Sequence, residues 1–206
     1  MSNPVTTVFL VDDDPAVLKS LSRLLRSAGL ACATFASARE FLDRHDPAAS
    51  GCVVLDVAMP GLNGMELQQA LTDRGQELAI VFLTGHGDIP MSVQAMKRGA
   101  VDFLTKPVHD DDLLQAVRVA IEKDRVQRRR RAEIAEIQRR LDTLTPRERE
   151  VLEHVIAGQL NKQTAADLGT VEKTIKVHRA RVMEKMRVQS VAELVHLAEQ
   201  AGVGKK

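Results

Sequence analysis

The chain is predicted to fold as a doubly wound α/β domain on a five-stranded parallel sheet, followed by a small all-α domain of four helices. Three observations predict this. Residues 7–120 alternate short apolar, β-rich runs with amphipathic segments, the pattern of βα units joined by right-handed crossovers. From Leu113 to Leu141 there is neither Gly nor Pro, so one helix can run out of the first domain. Beyond it, helical segments follow one another with glycines between them.

The elements follow in order. Val8-Phe9-Leu10-Val11 is the first strand. A helix over 15–28 carries Val17, Leu18, Leu21, Leu24 and Leu25 at helical spacing, and Gly29 stops it. Residues 31–35 form a second strand, and Ser37-Ala-Arg-Glu40 reads as a capping box opening a short helix. The third strand, 52–56, leads through Met59-Pro-Gly-Leu-Asn into a helix over 64–73. Strand 79–84 precedes a Gly-rich loop and a helix over 89–98, stopped by Gly99. Strand 101–104 leads to the last helix of the sheet domain, which starts near Asp110, Asp111 and Asp112, acids suited to a helix N-terminus. The second domain opens at Thr145-Pro-Arg-Glu148, which supplies an N-cap, a proline at the first helical position and a capping-box glutamate. That helix runs to about 157, with further helices over 162–168, 171–187 and 191–201. The expected organisation is a first domain over 1–121, a helical linker over 122–141 and a second domain over 142–206.

Composition bounds the function. With 44% hydrophobic and 28% charged residues the 206-residue chain is globular, but aromatics are only 2% and Trp and Tyr are absent. The core is therefore expected to be aliphatic, and nucleic-acid contacts to rest on charge and helix shape instead of base stacking. Residues 1–120 hold 10 Lys and Arg against 15 Asp and Glu, a net −5; residues 121–206 hold 19 against 13, a net +6. An acidic half joined to a basic half suggests two jobs, the second with a polyanion. Cys32 and Cys52 are too few for a disulfide framework and are read as buried thiols. No signal peptide is legible, and no run nears the ~18 apolar residues of a membrane helix, so a cytoplasmic protein with no membrane partner is expected.

The chemistry gathers at strand ends. The first strand runs into Asp12 and Asp13, the third ends in Asp56, the fourth in Thr84, and the fifth leads to Lys106-Pro107. Parallel strands bring these residues to one carboxyl edge, where open sheets of this kind place their ligands. Three clustered carboxylates repel one another unless a divalent cation shares them, and hard oxygen ligands suit Mg²⁺. A lysine beside them suits a phosphoryl oxygen, and an aspartate there can take up a phosphoryl group as an acyl phosphate. Asp14 is read as a solvated neighbour.

In the second half, two helices meet at a short turn, Gly169-Thr170, which suggests a helix-turn-helix. On the wheel of the second helix, Ile175, His178, Val182 and Met186 fall on one side, and Lys173, Lys176, Val177, Ala180 and Arg181 on the other. Between Glu172 and Arg187 six basic residues face two acidic ones, net +4. Small residues set among lysines let a helix lie deep in a DNA groove. His178 is read as a packed, hydrogen-bonded histidine. Arg128–Arg131 are read as a solvated face, with phosphate contact as the alternative, and Ile134, Ile137 and Leu141 as a stripe for packing within the chain.

Both halves, through these residues, resemble a known family. Residues 7–120 are similar to response-regulator receiver domains. Residues 142–202 are similar to LuxR-type helix-turn-helix domains, through Leu144-Thr-Pro-Arg-Glu-Arg-Glu-Val-Leu, Gly158, Asn161-Lys162 and Lys173-Thr-Ile-Lys-Val-His-Arg. Domain order and the segment Asp88-Ile-Pro-Met-Ser-Val-Gln-Ala-Met-Lys resemble the FixJ subfamily of the FixJ/NarL family. The resemblance implies a sheet of order 2-1-3-4-5 and a transcription factor phosphorylated on Asp56 by a sensor histidine kinase. It further implies Mg²⁺ (or Mn²⁺) at Asp13, Asp56 and the Ala58 carbonyl, with Asp12 acting mostly through water. Thr84 and Lys106 would bind phosphoryl oxygens, and Phe103 would be the aromatic switch residue. Val93, Lys97 and Asp102 match the face through which such receivers pair into homodimers. Lys176, Val177 and Ala180 match base-facing positions on operator DNA; Lys162, Lys173 and Thr174 match phosphate contacts, and Arg181 shares that face. RNA polymerase is an implied partner, and kinase specificity is expected around Ala16, Lys19 and Ser20.

The chain departs from the pattern at Thr164, which puts a hydroxyl at a half-buried site, and at Thr170-Val171. Because a β-branched apolar residue is a poor N-cap, the cap is expected to shift to Thr170. Two other functions compete. The receiver could be a dimerisation domain independent of phosphorylation, against which the intact Asp12, Asp13, Asp56, Thr84 and Lys106 argue. A phosphatase of the haloacid-dehalogenase type needs a second Asp two residues beyond the nucleophile, and position 58 is Ala.

Overall fold

The computed structural model describes residues 6–85 and 89–204. Asp88, singled out above, lies outside the described residues. The chain divides into two units, Met1–Gln127 and Arg128–Lys206.

The first unit is built from β1 (Thr7–Val11), α1 (Pro15–Ser27), β2 (Ala31–Phe35), α2 (Ala38–Arg44), β3 (Gly51–Asp56), α3 (Gly64–Asp73), β4 (Ala79–Thr84), α4 (Ile89–Lys97), β5 (Asp102–Thr105) and the start of α5 (Asp110–Asp142). The sheet has the order β2-β1-β3-β4-β5, with every pairing parallel. Both of its faces are covered, which is why β1, β3 and β4 read as continuous apolar runs. Alternate side chains go to opposite faces. Phe9, Val53 and Phe82 pack on one side with Phe41 of α2 and Leu67 of α3. Leu10, Val54 and Val81 pack on the other with Leu25 of α1 and Leu113 and Val117 of α5. Within this unit the core expected to be aliphatic is so on the α1 and α5 side only; the core of the second unit is aliphatic throughout. All five Phe of the chain lie with the opposite layer.

The opposite edge of the sheet shows why a glycine starts β3. Gly51 has φ +143, and a Cβ there would lie 1.7 Å from the Thr7 carbonyl oxygen. Its N–H donates to Asp124 Oδ2 of α5 at 3.0 Å. Burial, then the Asp124 charge, push the Cys52 thiol up to about 12, so it stays protonated and inert. Cys32 is only half-buried, with its sulfur 3.2 Å from Ser22 Oγ; it lies on edge strand β2, which one neighbouring strand covers.

The second unit holds the end of α5 with α6 (Pro146–Ile156), α7 (Asn161–Asp167), α8 (Glu172–Met186) and α9 (Val191–Gln200). Ile137 and Leu141 are buried there with Leu152, Ile175, Val182 and Leu194. The segment expected as a linker over 122–141 is thus divided: Asp124 is tied to the sheet, whereas Ile137 and Leu141 belong to the second core.

Three local expectations are corrected. Ser37 caps α2 by accepting from Glu40 N, but Glu40 accepts from Ala36 N instead of closing the box on Ser37. Thr164 is not half-buried; it is 1% exposed and its hydroxyl has no hydrogen-bond partner. Nδ1 of His178 is likewise buried without a partner, because its side of α8 faces apolar side chains.

The capping box at Thr145 forms as expected, with Glu148 accepting from Thr145 N. Glu148 is 2% exposed and also accepts from Lys185 Nζ of α8 at 2.6 Å. The lysine hydrogen bond is the main cause that holds the Glu148 carboxyl below its ordinary 4.5. A depressed carboxylate contributes stability that is present above 4.5 and lost as pH falls through the folded value. Glu148→Ala should therefore cost the second unit about 2–4 kcal/mol in urea unfolding at neutral pH. That difference should shrink below pH 4.5, which the same titration repeated in acid checks.

Candidate functional site

Sheet topology brings the strand-end residues together. Asp12 and Asp13 follow β1, Asp56 closes β3 and Thr84 closes β4, while Lys106 N–H donates to the Thr84 carbonyl at 2.7 Å. Asp12 is 3% exposed, Asp56 5% and Thr84 1%. Asp13 is exposed. Ligand oxygens of the three aspartates all lie within 4.8 Å of one another.

Lys106 holds this cluster together. Its ammonium donates to Asp12 Oδ2 at 2.6 Å and to Asp56 Oδ1 at 2.9 Å. Partial burial works against its charge, but the two carboxylates outweigh that and raise its pKa above the ordinary value. The remaining oxygens are also placed: Asp12 Oδ1 accepts from Asp14 N and Asp56 Oδ2 from Ala58 N. Asp14, expected to be a mere solvated neighbour, is the N-cap of α1, accepting from Ala16 N at 2.7 Å. Three carboxylates against one ammonium leave a formal −2, which one divalent cation cancels. Oxygen ligands at roughly 2.0–2.1 Å from a small cation sit about 3–4 Å apart, so the aspartate oxygens need close in only slightly. The donor set fits Mg²⁺.

Some features had no clear signal in the sequence. Gly64 opens α3 against Asp56: a Cβ there would lie 2.3 Å from the Asp56 carbonyl oxygen. Asn63 and Glu66 form a reciprocal capping box that fixes this turn; an Asn three residues before a Glu was the available clue. The Lys106–Pro107 peptide is cis. Phe103 is half-buried, its ring centroid 6.0 Å from that of Phe82. On α4, Ala95 is buried while Ile89, Val93 and Met96 are 80%, 45% and 45% exposed. Lys97 is exposed too, and Asp102 accepts from Phe103 N.

In the second unit α8 presents the side chains the wheel predicted. Lys173, Lys176, Val177, Ala180 and Arg181 are exposed and Thr174 is half-buried, while Ile175, Val182 and Met186 are buried. Lys162 is exposed at the start of α7. The N-cap does not shift to Thr170: Val171 takes it without any side-chain bond, and its carbonyl accepts from Thr174 N. On that face Lys176 is ion-paired, its Nζ 2.9 Å from Glu172 Oε1.

Comparison with known proteins agrees with both halves. Residues 8–118 match the response regulator receiver domain and residues 142–198 the luxR family of bacterial regulatory proteins. Nodulation protein W of Bradyrhizobium diazoefficiens is 47% identical over 95% of this chain and 86% of its own. The transcriptional regulatory protein FixJ of Azorhizobium caulinodans is 46% identical over 95% of this chain and 93% of its own. The solved structure of the response regulator StyR covers 95% of this chain and 98% of its own, at 46% identity and a TM-score of 0.83. No helix among the described residues is long and apolar enough to cross a membrane. Likeness that runs through the receiver, the connecting helix and the helix-turn-helix alike settles the kinship: the chain belongs to the response regulators with a luxR-family DNA-binding domain, and it is a transcriptional regulator.

Proposed function

We propose that Asp56 is the phosphoacceptor, that a sensor histidine kinase supplies the phosphoryl group, and that the acyl phosphate controls binding of α8 to operator DNA. The observation that carries this reading is the Lys106 ammonium set between Asp12 and Asp56, with Asp13 beside them. In the transfer, the phosphorus–nitrogen bond of a phosphohistidine breaks, a bond forms from phosphorus to an Asp56 oxygen, and the histidine nitrogen keeps the electron pair. Asp12, Asp13, Asp56 and the Ala58 carbonyl would hold Mg²⁺ or Mn²⁺, which supplies charge neutralisation and orientation of the incoming group. Lys106 is already charged and within reach, so it turns from the carboxylates to a phosphoryl oxygen. Thr84 lends its hydroxyl to another oxygen, and Phe103 follows it inward. Such a change is a population shift, bounded by how differently the phosphate interacts with the two states.

On the DNA, Lys176, Val177 and Ala180 lie within about 100° of one another on the exposed face of α8, a width that suits the major groove. Lys162, Lys173, Thr174 and Arg181 flank them as phosphate contacts. A homodimer through Val93, Lys97 and Asp102, contact with RNA polymerase and a cytoplasmic site of action complete the reading. Turnover of an external substrate is no part of it. Full-length protein should be incubated with a small-molecule phosphoryl donor, with Mg²⁺ or with excess chelator. Operator affinity should rise only in the arm with the cation. Equal affinity in both arms would favour the reading in which the receiver acts without phosphorylation.

A further inference from the structure

Glu172 is the acidic residue in the first turn of α8, at the end of the helix that the proposed DNA contact brings nearest the bases. A carboxylate facing phosphates weakens binding, so its place there asks for a reason. Stabilising the helix terminus is one reason, because Val171 provides no side-chain cap and an acid favours a helix N-terminus. That role needs no particular direction of the side chain. Glu172 Oε1 also lies 2.9 Å from Lys176 Nζ, four residues on, with the two side chains 46% and 63% exposed, a pairing that itself gives the helix modest support. On the wheel Glu172 is about 40° from Lys176 and about 80° from Ala180, so it borders the face already assigned to base edges. The pair carries no net charge, and Ala180 beside it leaves room for a base.

We propose that Glu172 is a specificity-determining residue that accepts a hydrogen bond from the exocyclic amino group of a cytosine in the major groove, beside the base edge met by Lys176. A carboxylate has only acceptors at neutral pH, and the cytosine N4 amino group is the donor such side chains read. The inference rests on the reading of α8 as the operator-binding helix. It also changes what Lys176 does: besides any contact of its own, it cancels a charge that would repel the duplex.

The test is selection from a random duplex library by full-length protein, phosphorylated by a small-molecule donor, followed by affinity measurements on the selected and on scrambled duplexes. Parent protein should show cytosine at one position of each half-site. Glu172→Gln keeps the length of the side chain and gains a donor, which suits the adenine N6 and N7 edge. It should lose the cytosine preference by roughly tenfold and shift that position toward adenine. Glu172→Ala should relax the same position and raise affinity for scrambled DNA. In the Lys176→Ala background, Glu172→Ala should recover part of the lost scrambled-DNA affinity, because it removes the uncompensated charge. Lys162→Ala serves as the control that weakens all sequences alike. Unchanged base preference with a uniform gain in affinity for both Glu172 variants would overturn the proposal and leave a helix-end charge only. If parent protein selects no sequence at all, DNA reading by α8 fails first and this proposal with it. Far-UV circular dichroism of each variant separates either result from loss of the helix.

Discussion

Asp56→Asn should accept no phosphoryl group from a small-molecule donor, while parent protein is labelled whenever Mg²⁺ or Mn²⁺ is present. The reason is chemical before it is structural. An amide oxygen is a poor nucleophile, and removing one carboxylate takes one formal charge from the −2 that draws a divalent cation to the cluster. The variant should nevertheless fold. Asn retains an acceptor for Ala58 N–H, and the Lys106 ammonium keeps Asp12 as a partner at 2.6 Å. Relief of repulsion among three grouped carboxylates should leave the receiver at least as resistant to heat as the parent. Loss of label together with an undiminished melting temperature therefore separates chemistry from misfolding. Phos-tag electrophoresis reads the label and calorimetry the stability. Full labelling of Asp56→Asn would move the acceptor elsewhere, and an equally labelled parent in excess chelator would remove the cation from the reaction.

Much of this arrangement was legible from the residues. Apolar runs ending in Asp12, Asp56 and Thr84 say which strands end at the candidate site, because a parallel sheet lines up all its carboxyl ends. The wheel of α8 separated Ile175, Val182 and Met186 from Lys173, Lys176 and Val177, since burial follows the 3.6-residue period. What failed to show were contacts between residues far apart in sequence or set by backbone fit. Nothing local tells that Asp124 will meet Gly51, or that Gly64 must lack a side chain to approach Asp56. Capping rules misplaced the start of α8, because packing of Ile175 and Val182 fixes the helix whether or not a side chain caps it. How the connecting helix shares its residues between the two cores was hidden for a related reason. Periodicity identified Ile134, Ile137 and Leu141 as a stripe, but which core Ile137 and Leu141 join is a tertiary fact.

The second large effect concerns affinity, and it is expected from Lys97→Glu. Helix α4 buries Ala95 and leaves Ile89, Val93 and Met96 exposed, apolar side chains that a partner can cover. A second copy related by a two-fold axis would cover it, with Lys97 of each subunit opposite Asp102 of the other. One helix-turn-helix makes few contacts, so an unphosphorylated monomer should hold its operator weakly. A dimer makes the second half-site encounter intramolecular, which raises affinity by ~10²–10⁴ without a new DNA contact. Lys97→Glu sets an acid against Asp102 and should forfeit that gain even when Asp56 is fully phosphorylated. Asp102→Lys in the same chain should restore it, which sedimentation and operator titration can follow together. The rival account is a receiver that hinders the DNA-binding unit until phosphorylation. Under that account the unit on its own should bind as tightly as phosphorylated full-length protein. The fragment for this test must begin at Arg128, because Ile137 and Leu141 are 4% and 2% exposed and a cut at Asp142 would strip them from its core. Under the dimer account that fragment stays weak, and it stays weak at every salt concentration at which the phosphorylated parent binds. A two-fold dimer also requires an imperfect palindrome with half-sites about one helical turn apart. Weak binding by a fragment whose core is intact cannot come from lost structure, and it leaves the second subunit as the source of the affinity.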